Sequence, residues 1–353
     1  EAVALLDPEG TAAGEKVLAK ALAAAPADFG LLLEMAAFLA ARDRHADAVP
    51  HLQKAAAERP RDAGARILLA RSLLFLKKIP EAREQALEAA ALAPEDPDAS
   101  MVLGRTYEEA GEPAGALPCY EKAAKLRPRR AACLVSVGYC LASLKKWKEA
   151  EKPLRAALKL DPGNLEARFH LGWVLNHLGD LGAALGEYLE ILKIRPDDER
   201  ALLNAGDLCV LMGKSKDAEK HLARLLGLRP SSAEAHRLMA LLDFKAGRKE
   251  DAWKHLDDCL KADPKNARAL FLQGQLHDDD GNDEESEKSW KAAAEADPKF
   301  AWPHLYLGEL YDGVLGKPVE ALLAFRRYLE LGGPDPDGVV QRTVDELAKE
   351  TGK

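Results

Sequence analysis

Residues 103–128 read LGRTYEEAGEPAGALPCYEKAAKLRP. Leu103 stands beside the small Gly104, Tyr107 follows three residues later, and Gly111 punctuates the middle of the stretch. Ala116, Tyr120 and Ala123 then lead to Pro128. Apolar and small residues recur every three or four positions on both sides of Gly111, the period of an α-helix. Two helices joined by a short turn account for the stretch. Pro128 ends the second, because proline has no N–H to donate and clashes with the preceding turn.

Outward from this stretch the same unit recurs. Pro26, Pro60, Pro94, Pro128, Pro162, Pro196, Pro230, Pro264 and Pro298 stand 34 residues apart without a break. Twelve residues before them lie Ala48, Ala82, Ala116, Ala150, Ala184, Ala218 and Ala252, with Gly14 and Ser286 in the outer copies. Twenty-four before them lie Ala36, Ala70, Gly104, Gly138, Gly172, Gly206, Ala240 and Gly274. Small residues at one fixed spacing let two helix backbones approach closely where they cross. A period of this size marks stacked supersecondary units. Alternating β-branched runs are absent, and Ala, Leu, Glu and Lys dominate, so the chain reads as all-α.

The pattern resembles the tetratricopeptide repeat family. Leu103-Gly104-Tyr107-Gly111-Ala116-Tyr120-Ala123-Pro128 is the fullest copy, and Leu171-Gly172-Leu175-Gly179-Ala184-Tyr188-Pro196 follows it closely. The resemblance implies a right-handed superhelical α-solenoid of tandem 34-residue helix-turn-helix repeats. It divides the chain into a partial repeat over 1–28, eight tandem repeats over 29–300 and a ninth, irregular repeat over 301–336. The ninth carries Leu307, Gly308 and Tyr311 but has small insertions before Ala321 and before Pro334. Residues 337–353 hold Val340, Val344 and Leu347 at helical spacing and read as a capping helix and tail.

Bulk properties narrow the function. The formal net charge of −8 and pI near 5.7 argue against nucleic acid as a partner, which requires a basic footprint. No run approaches the roughly 18 apolar residues of a membrane span. Cys119, Cys133, Cys140, Cys209 and Cys259 are odd in number and form no Cys-x-x-Cys pair. They read as small core hydrophobes rather than a disulfide framework. The chain opens at Glu1 without Met, and Glu1 to Leu6 read as the tail of a helix begun upstream, with Thr11 to Ala25 as its partner. Free thiols point to the cytoplasm, a processed N-terminus to the periplasm, and the Ala-, Leu- and Arg-rich composition to a bacterial source.

The resemblance further implies that the first helix of each repeat lines a concave groove. If Leu171 and Leu175 face neighbouring helices, then Phe169, His170, Trp173, Asn176 and His177 face that groove. The same offsets select Arg105, Tyr139, Arg200, Asn204, Asp207 and Arg237. Together they form an expected partner-binding patch of the aromatic and guanidinium types that carry interface energy. Phe271, Gln275, Trp302 and Tyr306 form a second groove segment, with the alternative that Trp302 packs under the capping helix.

Catalytic chemistry has no foothold: there is no Gly-rich phosphate loop, nucleophile elbow or His-Glu-x-x-His. No cofactor or metal is expected. His170 and His177 stand two helical turns apart, about 10 Å, too far to share an ion. Asp278-Asp279-Asp280-Gly281-Asn282-Asp283-Glu284-Glu285 lacks calcium-loop spacing and reads as a solvated turn. Family members that clamp C-terminal carboxylates need lysines absent here, and an asparagine ladder would need more than Asn204. The expected function is a non-catalytic scaffold that binds protein or peptide partners. The alternatives are a recruiting arm of a larger enzyme and a self-assembling structural module.

Overall fold

The structure is a computed structural model, and it describes residues 8–352. The expected helix tail at Glu1 to Leu6 lies outside the described residues. Twenty α-helices and one π-helical turn, with no strand, make up the described residues. The chain divides into two compact halves at Glu187 and Tyr188.

In the N-terminal half, α1 (Pro8–Ala24) precedes four hairpins. They are α2 (Phe29–Ala40) with α3 (His45–Glu58), α4 (Ala63–Phe75) with α5 (Ile79–Leu92), α6 (Pro97–Glu109) with α7 (Pro113–Leu126), and α8 (Ala131–Ser143) with α9 (Trp147–Leu160). Helix α10 (Leu165–His177) follows, and the division falls inside α11 (Leu181–Ile194). The C-terminal half continues with α12 (Glu199–Leu211), α13 (Ser215–Leu228), α14 (Ala233–Lys245), α15 (Lys249–Ala262), α16 (Ala267–Asp279) and α17 (Asp283–Ala296). It closes with α18 (Trp302–Glu309), the π turn (Leu310–Val314), α19 (Pro318–Glu330) and α20 (Val339–Thr351).

Each hairpin forms for reasons visible in its residues. Two positions after the periodic prolines, Asp28, Asp62, Asp96, Asn164, Asp198 and Asn266 accept a hydrogen bond from a backbone N–H in the first turn of the next helix. Each satisfies one of the donors a helix start leaves unpaired. At the junction after Pro128 the position belongs to Arg130, which makes no side-chain cap. Within each hairpin the small row meets a large partner. A Cβ added to Gly104 would lie 2.5 Å from the Tyr120 ring, and one added to Gly138 would lie 2.5 Å from Leu154. Tyr120 and Leu154 are completely buried.

The first helices of successive repeats also pack on each other, α4 on α6 and α8 on α10 in the N-terminal half, α12 on α14 and α14 on α16 in the C-terminal half. The irregular ninth repeat has a local explanation. The π turn, with Leu315 N–H donating to the Leu310 carbonyl at 3.0 Å, absorbs an extra residue before Ala321. Gly332 and Gly333 lengthen the next link, where the Tyr328 hydroxyl donates to the Pro334 carbonyl at 3.0 Å. Asp335 then accepts from the N–H groups of Val340 and Gln341 at 3.1 and 2.9 Å, and these bonds hold its carboxyl below the usual range. Helix α20 buries Val344 and Leu347 against α18 and α19 residues.

Candidate functional site

Seven of the expected partner-binding residues lie in the N-terminal half. Helix α10 buries Leu171 and Leu175 and turns Trp173 and Asn176 to a half-buried face that ends at the exposed His177. Helical offsets put Trp173 with Phe169 on one groove-facing stripe; in the structure its ring is half-buried among other rings. Trp147, the first residue of α9, stands edge-on to it with centroids 5.3 Å apart at 82°. Trp147 also stacks on His177 at 4.0 Å and 10°. These three rings form one wall of α9 and α10, in contact geometries that favour aromatic pairs. Farther along α10, Phe169 is half-buried with His170 edge-on at 5.9 Å, and His170 lies 5.0 Å from Tyr139 of α8.

Arg105 of α6 is exposed and borders a hollow of about 220 Å³. Arg71, Asp98, Met101 and Arg130 share that lining. The Asp98 carboxylate receives Arg130 at 2.8 Å, Arg71 at 3.0 Å and Arg127 at 3.5 Å. The hydrogen bond from Arg130 holds the Asp98 carboxyl below its ordinary range, against the opposite effect of burial.

Arg200, Asn204, Asp207 and Arg237 belong to the C-terminal half, and here the structure corrects the sequence reading. Arg237 is 7% exposed and cannot serve as an open anchor. Its guanidinium donates to both carboxylate oxygens of Glu234, through Nε at 2.9 Å and through Nη2. The physical reason is that a guanidinium drawn out of water must be paired, and Glu234 lies one turn away. Burial raises the carboxyl of the half-buried Asp207, partly offset by Arg237. The Asn204 amide donates to the Arg200 carbonyl at 2.7 Å and so serves its own helix. Arg200 is exposed.

The second expected segment also lies in this half. Phe271 meets Tyr306 edge-on at 5.1 Å and Phe300 at 5.3 Å, while the Gln275 amide donates to the Tyr306 hydroxyl at 3.1 Å. Trp302 remains 42% exposed, with Tyr328 of α19 at 6.0 Å; it is not packed under the cap. Nearby, burial raises the carboxyls of Asp278 and Glu309, and each is raised further by a neighbouring carboxylate. Lys249 pairs with Asp279 and Asp280 in the acidic turn, at 2.5 and 2.7 Å. No group of three or more His, Cys, Asp or Glu side chains is placed to hold a metal ion among the described residues. Cys133, Cys140, Cys209 and Cys259 are buried and Cys119 half-buried, all as free thiols. Burial pushes Cys140 up to about 12 and Cys259 to about 11, which makes them inert packing residues.

Helical offsets missed Trp147, because it starts the second helix of its repeat, and they missed Arg71, Asp98 and Arg130. A tryptophan in the first turn after a hairpin bend was a readable signal for the first. Arginine at a position where six other junctions carry Asp or Asn was one for the last.

A stack of helical hairpins with a paved face is the architecture of repeat scaffolds, and comparison with known proteins agrees. Two family models, both describing the tetratricopeptide repeat, match residues 101–164, 144–199 and 237–301 in one case and 39–106 and 177–242 in the other. The chain belongs to the tetratricopeptide repeat family. Among solved structures it is similar to a tetratricopeptide repeat protein from Parabacteroides merdae, with a TM-score of 0.60 and 16% identity over 71% of this chain and 98% of that one. It is also similar to PilW, a type IV pilus biogenesis factor, at TM-score 0.52 and 21% identity over 57% and 94% of the two chains. A third likeness is to the human IFIT1 dimer with PPP-AAAA, at 0.54 and 15% over 92% and 81%. Likenesses at these identities show the fold. No curated protein matches the sequence. Repeats of this family form protein-interaction scaffolds. No helix among the described residues is long and apolar enough to cross a membrane.

Proposed function

We propose that the protein is a non-catalytic scaffold that captures a segment of a protein partner on the N-terminal half, across the face of α8 and α10. The observation that carries this reading is the wall of Trp147, Trp173 and His177. Two tryptophans and a histidine meet there at 4.0 to 5.8 Å without being sealed into the core. Half-covered indoles offer a large apolar area at low conformational cost, and such residues dominate interface energies. Tyr139 of α8 and Phe169 of α10 extend the paving, joined through His170.

The test uses the full chain. A phage-displayed library of random peptides panned on it should yield binders. Trp173→Ala should weaken the selected peptides by about 2 kcal/mol, with the helical circular dichroism unchanged. A library that yields no binder, or binders indifferent to this substitution, would refute the reading.

A further inference from the structure

The arginines of the N-terminal half carry the reading above to a partner chemistry. Arg71, Arg127 and Arg130 converge on the single carboxylate of Asp98, and Arg105 lines the same hollow. The nearest acids on α6 are engaged elsewhere: Glu108 accepts from the Tyr120 hydroxyl, and Glu109 pairs with Lys77 at 2.7 Å. Three guanidiniums therefore share one carboxylate, and a fourth lines the same hollow. Each guanidinium has five N–H donors, so most remain available after Asp98 is served. Arg71, Arg127 and Arg130 are 44%, 52% and 39% exposed, within reach of a ligand.

The sequence around the hollow is biased the same way. From Lys122 to Lys148 there are eight basic residues and no acidic one. Arg130 occupies the place where six other junctions carry a capping Asp or Asn, so α8 forgoes its side-chain cap and a guanidinium faces Asp98 instead. The hollow, about 220 Å³, is sized for side-chain carboxylates rather than for a long polymer. The half that holds it is close to neutral, with 25 Lys and Arg against 26 Asp and Glu, and so lacks the broad basic footprint that nucleic acids need.

We propose that this hollow binds a carboxylate-rich segment of the protein partner, its Asp or Glu side chains pairing with Arg71, Arg105, Arg127 and Arg130. The inference rests on the scaffold reading and adds its selectivity. Bidentate guanidinium–carboxylate pairs supply geometry as well as charge.

Fluorescein-labelled deca-glutamate, followed by anisotropy with the full chain, is the direct probe. It should bind, weaken as salt rises, and bind at least tenfold less well to the R71Q/R105Q/R130Q variant. Asp98→Asn releases three guanidiniums at almost constant shape and should tighten binding severalfold. Unchanged or weaker binding to Asp98→Asn would overturn the proposal even if the triple variant were poorly folded. Panned peptides that need Trp173 but show no acidic enrichment, and that bind the arginine variant normally, would sink this inference and leave the scaffold reading standing. Absence of any binder would sink both. Decathymidylate binding tighter than deca-glutamate, and lost in the same variant, would replace the acidic peptide with nucleic acid.

Discussion

Arginine meets carboxylate in both halves of the molecule, with opposite results. Around Asp98 in the N-terminal half, guanidiniums outnumber the carboxylate and stay open to water. Around Arg237 in the C-terminal half, one buried guanidinium is held by Glu234 with Asp207 close by. Surplus charge at a surface is available for recognition, whereas a desolvated charge is committed to its partner. The halves differ in bulk as well. Residues 1–187 carry 25 Lys and Arg against 26 Asp and Glu, and residues 188–353 carry 25 against 32. The acidity of the chain therefore belongs to its C-terminal half, and its overall charge conceals a basic hollow.

Breaking the pair around the buried Arg237 should have the largest effect. Arg237→Ala removes a buried guanidinium and its packing and leaves the partly exposed Glu234 unpaired, and is expected to destabilise the protein by about 1 to 3 kcal/mol in urea melts. Arg105→Ala, which removes an exposed guanidinium, should cost no more than about 0.5 kcal/mol. Equal losses would erase the contrast between the two arginines.

A smaller effect separates the hairpin turns. Gly213, Gly247 and Gly281 all adopt positive φ at this turn in the C-terminal half, whereas in the N-terminal half Gly111 and Gly179 do so but Asp43, Lys77 and Lys145 take the same conformation without being glycine. A left-handed backbone costs a residue with a Cβ about 1 to 2 kcal/mol. Lys145→Gly should therefore raise stability, by up to about 1 kcal/mol once the extra chain entropy of glycine is counted. A drop in melting temperature would show that Lys145 contributes more through its side chain than its backbone loses.

The finest comparison is in pH. Burial depresses His221, His255 and His304, all in the C-terminal half, with Lys220, His236 and Arg327 respectively adding to the effect. A depressed histidine favours the fold in its neutral form. That stability is complete above the ordinary value of about 6.5 and is lost as pH falls through it towards the lowered native values. In the N-terminal half the depressed carboxyl of Asp98 contributes above the ordinary carboxylate range and loses its contribution only on stronger acidification. Asp207 and Glu309, raised by burial, relieve the C-terminal half only nearer that range. Hydrogen exchange compared at about pH 7 and about pH 6 should thus show α13, α15 and α18 loosening before α6 and α8. The reverse order would break the assignment.

Much of the fold was legible in the residues. The proline register, the small rows and the turn glycines require helical hairpins, since each is a local demand of backbone sterics that neighbours do not alter. The capping row was equally legible: Asp or Asn two positions after a periodic proline announces the next helix, and Arg130 announces an exception. The candidate face was legible only in part. Helical offsets selected Trp173, but could not add Trp147, which meets it from a different helix.

By itself, then, the amino-acid order determined a stack of 34-residue helical hairpins and the side of each helix that enters the core. Tertiary structure alone decided which of those side chains remain available. Arg237 and Arg105 stand on first helices of the same pattern, yet one is covered and paired while the other opens onto a hollow. Periodicity specifies an angle around a helix axis; burial and pairing depend on what the next helix brings to that angle.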